Sequence, residues 1–232
     1  MEENKMGVDT FCEHSMCVCV RVCFSHNDQL GRMDFPHNAL SPQCIVGTYV
    51  CVCVCAKDCT VLMMKKIDNS NSFDRTWDEF KAGFGNTISG NYWLGNDRIH
   101  QLTKDGGYML LVDIKSTKGF GPLARFWSDY ARFIVGSEAT NYQVLIDGGY
   151  GKAGDPIGDI NGTQFTTNDR DNDGNPTGNC AVAHSGGFWY NSNDCASCSL
   201  TAAGSSFNCM TLPGRKRPLD KSQMRLRCKG AK

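Results

Sequence analysis

The residues of this chain best suited to chemistry are three aspartates at alternate positions. Asp169, Asp171 and Asp173 lie in the stretch DRDNDGNPTGNC, which ends at Cys180. Hard divalent cations prefer oxygen ligands, and calcium takes roughly six to eight of them from carboxylates, carbonyls and water. Aspartates that alternate along a turn can point toward one centre while the residues between them face outward. The stretch is therefore a candidate calcium-binding loop.

An EF-hand does not explain this loop. DRDNDG matches the first half of the EF-hand pattern, but the twelfth position is Cys180 in place of a bidentate Glu. Two interpretations remain open. One is a different calcium loop, with backbone carbonyls supplied by the turn that contains Pro176 and Gly178, and with a disulfide at Cys180 fixing the exit of the loop. The other is a solvated Asx-turn without an ion.

The cysteines divide the chain into two parts. Nine of the 14 precede residue 60 and five follow residue 179. The early ones form Cys-Val tracts at 17–23 and 49–59. These tracts fit a strand of period two, a thiolate cluster for zinc or copper(I), or translated non-coding DNA, since a TG repeat encodes Cys-Val. We expect residues 1–59 to lie outside the folded domain, as a disordered segment or a gene-model artefact.

The late cysteines admit two kinds of site. Cys195, Cys198, Cys209 and Cys228 form a C-x2-C pair followed by two single cysteines, a conceivable zinc site. Additional disulfides, for example Cys198 with Cys209, are the other interpretation. A Cys–His nucleophile pair would need Cys198 or Cys209 beside His184. The sequence around His100 and His184 contains no nucleophile motif, so we expect a protein without enzymatic activity.

The elements that position these residues are short helices followed by strands. Aromatic residues at steps of four, three and four predict one apolar stripe on a helix ended by the Gly83/Gly85 pair: Phe73, Trp77, Phe80 and Phe84. Residues 96–102 predict a second short helix with Asn96 as its N-cap. Three stretches, at 108–116, 131–136 and 142–149, predict strands. The fold class is therefore α+β, and we expect Trp77, Trp93 and Trp127 to lie mostly in its core.

Composition excludes several classes of partner. Lys plus Arg and Asp plus Glu number 24 each, so no nucleic-acid surface is predicted. The longest apolar run, Cys44–Ala56, has 13 residues, whereas a membrane span needs about 20. No secretory signal is visible, because the first eleven residues carry charges where an apolar core is required.

Five separated stretches, in order, resemble the fibrinogen C-terminal domain, the globular module of fibrinogen chains, ficolins, tachylectins, tenascins and angiopoietins. They are SFDRTWDEFKAGFGN, GNYWLGNDRIHQLT, NYQVLIDGGYGKAGD, TNDRDNDGNPTGNCA and GGFWYN. The resemblance implies a partial domain over residues 60–229, a tail at 230–232, and a mixed or antiparallel sheet with short helices and a loop-rich C-terminal region. It also implies secretion, and oligomers assembled through a region outside this domain.

The resemblance further implies particular site residues. The calcium ligands map to the side chains of Asp171 and Asp173 and to the carbonyls of Asn175 and Thr177. The disulfide after the loop maps to Cys180 with Cys195. The ligand pocket of lectin members maps to Cys195 and the following residue, where Ala196 replaces a frequent His.

The closing segment departs from the family pattern. Cys209 and Leu212 replace tryptophans, and the run from Arg215 to Arg217 replaces a tyrosine-rich stretch. Cations thus take the place of faces on which a sugar ring could stack, which favours an anionic ligand. Asn161, in the triplet NGT, is the predicted glycosylation site.

We therefore expect an extracellular, calcium-stabilised, lectin-like module that binds carbohydrate or acetylated or anionic surface groups and takes part in innate immunity. The alternative is a domain of the angiopoietin or tenascin type, in which the same face binds a protein receptor or the matrix.

Overall fold

The computed structural model describes residues 17–23, 43–46, 49–55, 59–116, 124–191, 195–212 and 217–229, with side chains from Cys59 onward except those of Ala124 and Arg217. The chain divides into two compact units, Val61–Lys229 and a second that comprises Met1–Thr60 with Gly230–Lys232. No helix among the described residues is long and apolar enough to cross a bilayer.

The N-terminal unit contains a three-stranded antiparallel sheet in the order β1-β3-β2. Its strands are β1 Cys17–Cys23, β2 Gln43–Val46 and β3 Tyr49–Cys55. Residues 17–23 and 49–55 of the Cys-Val tracts thus have strand backbone, as alternating β-branched residues favour. Cys59, at the end of the second tract, is disulfide-bonded and so is not a thiolate. The other cysteines of the thiolate-cluster hypothesis have side chains outside the described residues.

The larger unit is built on a seven-stranded sheet in the order β5-β6-β4-β14-β7-β8-β9. Its strands are β4 Thr60–Lys66, β5 Phe84–Gly85, β6 Tyr92–Trp93, β7 Tyr108–Ser116, β8 Ala124–Val135, β9 Val144–Tyr150 and β14 Lys221–Cys228. Two small antiparallel pairs follow, β10 Phe165–Thr166 with β11 Phe188–Trp189, and β12 Asn208–Cys209 with β13 Arg217–Pro218. The α-helices are α1 Trp77–Ala82, α2 Asn96–Thr103 and α3 Cys180–His184, and short 3-10 turns occur at Glu138–Thr140, Gly158–Ile160 and Gly204–Ser206. The α+β prediction is confirmed.

One face of the large sheet forms the core. On β7 the inward side chains are Leu110, Val112 and Ile114, and on β14 they include Met224 and Leu226, all almost fully buried. The antiparallel register of β14, β7 and β8 aligns these side chains, so that alternate residues point away from the core. These outward positions form the outer face of the sheet.

The first helix is shorter than the aromatic stripe predicts. Thr76 and Glu79 form a capping box, so α1 begins at Trp77, and it ends at Gly83, whose φ is 92°. Phe73 and Phe84 lie outside the helix but still contact each other, with ring centroids 5.4 Å apart. The predicted stripe is therefore a core cluster supplied partly by loop residues.

The predicted N-cap of the second helix is wrong by one residue. Asn96 is already helical, and Gly95, with φ 105°, is the N-cap. The Asn96 side chain accepts a hydrogen bond from Trp93 Nε1 at 3.0 Å and makes no cap hydrogen bond. Trp77 and Trp93 are buried as expected, but Trp127 is 40% exposed, because its strand position points outward.

Candidate functional site around the acidic loop

The acidic loop, defined as residues 167–179, connects β10 to α3. It opens with a backbone pair in which Thr167 and Arg170 exchange N–H···O bonds of 2.9 and 3.2 Å. Asn172 then ties the loop back to β10, because its Nδ2 donates to the Phe165 carbonyl at 2.8 Å and its backbone N–H donates to Thr166 Oγ1 at 3.1 Å. The start of the loop is thus anchored to the core.

Three side chains at alternate positions then form consecutive Asx-turns. Asp171 Oδ1 accepts from the Asp173 N–H at 3.3 Å, Asp173 Oδ1 from the Asn175 N–H at 2.9 Å, and Asn175 Oδ1 from the Thr177 N–H at 3.1 Å. Each turn curls the chain by using its own side chain as acceptor. The loop therefore contains Asx-turns, the feature on which the second interpretation of the sequence depends.

Asp173 also joins the loop to the helix that follows. Its second oxygen, Oδ2, accepts from the Cys180 N–H at 2.8 Å, while the N-cap Asn179 accepts from the Val182 N–H at 3.0 Å. The pKa of Asp173 is raised above its ordinary value, chiefly because the carboxyl is partly buried, and the neighbouring Asp171 carboxylate adds to this. The N–H groups of Cys180 and Asn175 oppose the shift, because they stabilise the charged form. The carboxylate is thus held against backbone amides in a half-buried place.

The predicted calcium ligands form an all-oxygen set. Among the described residues no three His, Cys, Asp or Glu side chains form a cluster that could hold a metal ion. The predicted site has only two carboxylates, Asp171 and Asp173, and draws its other ligands from the carbonyls of Asn175 and Thr177. Carboxylate oxygens that each accept one N–H retain acceptor capacity. This donor set fits calcium, which prefers hard oxygen ligands, better than it fits a softer metal.

A disulfide between Cys180 and Cys195 fixes the far end of the loop. Cys195 has a left-handed backbone, with φ 64°, and its carbonyl accepts from the Asn191 N–H at 2.7 Å. The two predicted ligand-binding residues are nearly buried, with 8% of Cys195 and 5% of Ala196 exposed. Their side chains consequently offer little surface to a sugar.

Asp159, which no sequence motif marks as a site residue, holds this segment in place. Its Oδ2 accepts from the Ser197 N–H at 2.8 Å and from Asn191 Nδ2 at 2.9 Å. These contacts join residues separated by 38 and 32 positions, and no local motif marks Asp159 as an acceptor for them.

The remaining late cysteines are also oxidised. Cys198 and Cys209 form a second disulfide, and Cys228 is disulfide-bonded as well. The zinc hypothesis is therefore wrong, because a zinc ligand must be a free thiolate. The Cys–His nucleophile pair is wrong for the same reason. His184 Nδ1 instead lies 3.2 Å from Ser199 Oγ.

The altered closing segment contributes to the core. Cys209 and Leu212, which stand where tryptophans are expected, are 0% and 2% exposed. Arg215, Lys216 and the side chain of Arg217 lie outside the described residues. Asn161 is exposed, and its Oδ1 accepts from the Ile146 N–H of β9 at 3.0 Å.

A sequence model of the family described as fibrinogen beta and gamma chains, C-terminal globular domain, matches residues 47–229. The chain belongs to this family. The match begins upstream of residue 60, where the sequence analysis places the start of the domain.

Among curated relatives, the chain is 42% identical over 130 residues to angiopoietin-related protein 2 of Homo sapiens. The aligned region covers 56% of this chain and 25% of that protein. It is 36% identical over 146 residues to fibroleukin of Homo sapiens, covering 60% of this chain and 31% of that protein. The chain thus spans between a quarter and a third of these relatives.

Two solved structures share the fold. The fibrinogen-like globe domain of human ANGPTL2 has a TM-score of 0.65 and 31% sequence identity, with 83% of this chain and 94% of that chain covered. Lamprey fibrin D-dimer, solved with the peptide ligand Gly-His-Arg-Pro-amide, has a TM-score of 0.63 and 23% identity, with 79% and 66% covered.

Proposed function

We propose that this chain is a non-enzymatic, extracellular recognition domain whose partner is a protein. The single observation that supports this most is the 42% identity to angiopoietin-related protein 2. A protein-binding domain of the angiopoietin type is the alternative to a lectin-like module that the sequence resemblance leaves open. The structural similarity covers 94% of the globe domain of human ANGPTL2, which supports the same proposal.

The predicted sugar pocket receives less support. Ala196 stands where lectin members often have His, and both Cys195 and Ala196 are nearly buried. Cys209 and Leu212 fill the core at positions where tryptophans would be expected. These substitutions remove polar and aromatic groups with which an acetylated sugar could be held.

Calcium has a supporting part in this proposal. Asp171 and Asp173, with the carbonyls of Asn175 and Thr177, would hold the ion, which supplies positive charge between two neighbouring carboxylates. Because Asp173 also accepts from the Cys180 N–H, a loop ordered in this way stays fixed to the disulfide. A preordered loop reduces the entropy that partner binding must overcome.

The exposed side of this region carries an apolar side chain that a protein partner could cover. Val182, on α3, is 58% exposed, and its backbone N–H is bonded to the Asn179 side chain. Protein interfaces commonly place apolar side chains at their centre and charged groups at the rim. Val182 follows the acidic loop by three residues, and the exposed Asp169 and Asp171 of that loop would supply charged groups for such a rim.

The test is binding of the labelled, oxidised full chain to a panel of cultured cells in calcium. We expect trypsin treatment of the cells to abolish binding and free N-acetylglucosamine to leave it unchanged. Val182→Asp should lower binding, whereas Ile88→Asp, at a position 67% exposed on another part of the domain, should not. Binding that survives trypsin and is released by the free sugar would support the lectin and contradict the proposal.

A further inference from the structure

Three cations lie in one row across the outer face of the large sheet. Lys221 of β14 is the register partner of Lys115 of β7, and Lys115 is the register partner of Arg125 of β8. All three side chains are exposed. Neighbouring strands are about 4.8 Å apart, so the row is roughly 10 Å long.

Such a row is electrostatically unfavourable by itself. Like charges directly opposite each other on adjacent strands destabilise a sheet. Neither lysine forms a salt bridge with any carboxylate in the part of the chain that the structure describes. Arg125 does, with Nε and Nη2 at 2.8 and 2.6 Å from Asp113 Oδ1, but Asp113 is shared with Arg225, whose Nη2 lies 2.6 Å from Oδ2. Asp113 is therefore already paired with two arginines, and neither lysine has a carboxylate of its own as ion-pair partner among the described residues.

The outer face carries a net positive charge that comes from the row, because the charges outside the row balance. Its charged residues on β7, β8, β9 and β14 are the cations Lys115, Arg125, Arg132, Lys221, Arg225 and Arg227 and the anions Asp113, Asp129 and Asp147. Arg227 contacts Asp129 at 3.6 Å, and Arg132 is the register partner of Asp147. Asp220 adds one carboxylate just before Lys221. Positive charge therefore predominates here, although the whole chain is formally neutral.

An exposed aromatic pair borders the row. Trp127 follows Arg125 by two residues on β8 and so lies on the same face, 40% exposed. Tyr150 of β9, 53% exposed, meets it edge to face with ring centroids 6.2 Å apart. Aromatic faces are common stacking surfaces for sugar rings, whose C–H groups are apolar.

We propose that this face binds a sulfated polysaccharide. A line of exposed cations matches anionic groups repeated along a chain, and sulfate oxygens accept hydrogen bonds from Lys and Arg. The neighbouring aromatic pair would contact the sugar rings between the sulfates. An acidic membrane is a poorer fit, since the cations form a line across a sheet rather than a broad patch. The site is separate from the acidic loop and does not depend on the protein partner proposed above.

The experiment measures binding of the oxidised full chain to immobilised heparin, a sulfated glycosaminoglycan, at increasing NaCl. Parallel arms use hyaluronan, which carries carboxylates alone, and vesicles containing phosphatidylserine. The variants are Lys115→Gln/Lys221→Gln and the charge-retaining Lys115→Arg/Lys221→Arg. Lys104→Gln is the control, because Lys104 is exposed at the end of α2 and lies outside this face.

We expect binding to heparin that weakens with salt and that falls about tenfold in the double Gln variant, since two charge-assisted contacts are lost. The double Arg variant and Lys104→Gln should bind like the unaltered chain. The melting temperature of the double Gln variant should stay the same or rise, because cross-strand repulsion is relieved. The proposal would be overturned if the chain does not bind heparin, or if the double Gln variant binds it equally well. It would also be overturned if binding is lost only together with a lower melting temperature, or if the chain prefers the vesicles.

Discussion

The Asp173 carboxylate and the Cys180 backbone N–H form a 2.8 Å hydrogen bond that joins the acidic loop to α3. Cys180 is also one half of the disulfide with Cys195. Cys180 therefore takes part in both the hydrogen bond and the disulfide that hold the end of the loop. Asp171, by contrast, is exposed and accepts a single, longer bond at 3.3 Å. The two aspartates of the predicted calcium site thus differ in their structural role.

This difference predicts unequal effects on stability when calcium is removed. Asp173→Ala leaves the N–H groups of Asn175 and Cys180 without their acceptor, so in EDTA it should lower the free energy of unfolding by about 1–3 kcal/mol. Asp171→Ala should change it by less than about 0.5 kcal/mol. Urea unfolding of both variants in EDTA measures the difference. Equal losses would contradict the structural role given to Asp173.

A second prediction concerns Lys66, which is fully buried in the core of the larger unit. Its Nζ donates to the Ser70 carbonyl at 2.6 Å and lies 5.3 and 5.1 Å from the ring centroids of Phe73 and Phe207. Burial lowers the pKa of Lys66 from 10.5 to about 8, although Asp68 opposes this shift. Between these values the unfolded chain binds more protons than the folded one.

The contribution of Lys66 to the free energy of unfolding should therefore increase by about 3 kcal/mol as the pH rises from about 8 to about 10.5. Lys66→Met should abolish this increase, whereas Lys65→Met should preserve it. Urea unfolding across this pH range, with free thiols alkylated, measures the effect. A pH profile that Lys66→Met leaves unchanged would show that Lys66 is not its source.

The prediction of a glycan at Asn161 can be separated from the structural role of the same side chain. Asn161 Oδ1 accepts from the Ile146 N–H of the edge strand β9, whereas a glycan would attach at Nδ2. In secretory expression we expect a glycan that peptide N-glycosidase removes. Thr163→Ser should keep it.

Asn161→Ala should remove both the glycan and the contact with β9, and so lower stability by about 1 kcal/mol more than enzymatic deglycosylation does. Mass spectrometry and thermal unfolding measure the two effects. A chain secreted without a glycan at Asn161 would contradict the predicted glycosylation. Equal stability of Asn161→Ala and the deglycosylated chain would contradict the predicted contribution of the contact with β9.

Local sequence patterns predict some elements closely and others only in part. The predicted helix at 96–102 is α2 to within one residue, whereas the predicted strand at 131–136 covers only the second half of β8, and β4 and β14 are not predicted. The run at 108–116 is rich in β-branched and aliphatic residues and has the bounds of β7. The aromatic spacing overextends α1, although the T-x-x-E signal from Thr76 to Glu79 marks its true start. Periodicity reports which side chains are buried, and a core can bury loop aromatics such as Phe73 and Phe84 equally well.

The site required information that local patterns lack. Alternating aspartates reveal the Asx-turns of the acidic loop, since each contact spans two residues. The Cys180–Cys195 pairing came from the family resemblance. The support of this segment by Asp159 depends on how distant parts of the chain meet. The row of Lys115, Lys221 and Arg125 likewise depends on strand register, which the sequence does not specify.

Calcium titration of the oxidised full chain by isothermal calorimetry tests most directly whether the acidic loop is an ion-ordered recognition element. We expect a saturable heat of binding near one ion per chain and a higher melting temperature in calcium than in EDTA. Asp171→Ala should lose both effects while remaining folded. No binding heat together with identical melting in calcium and EDTA would contradict the account.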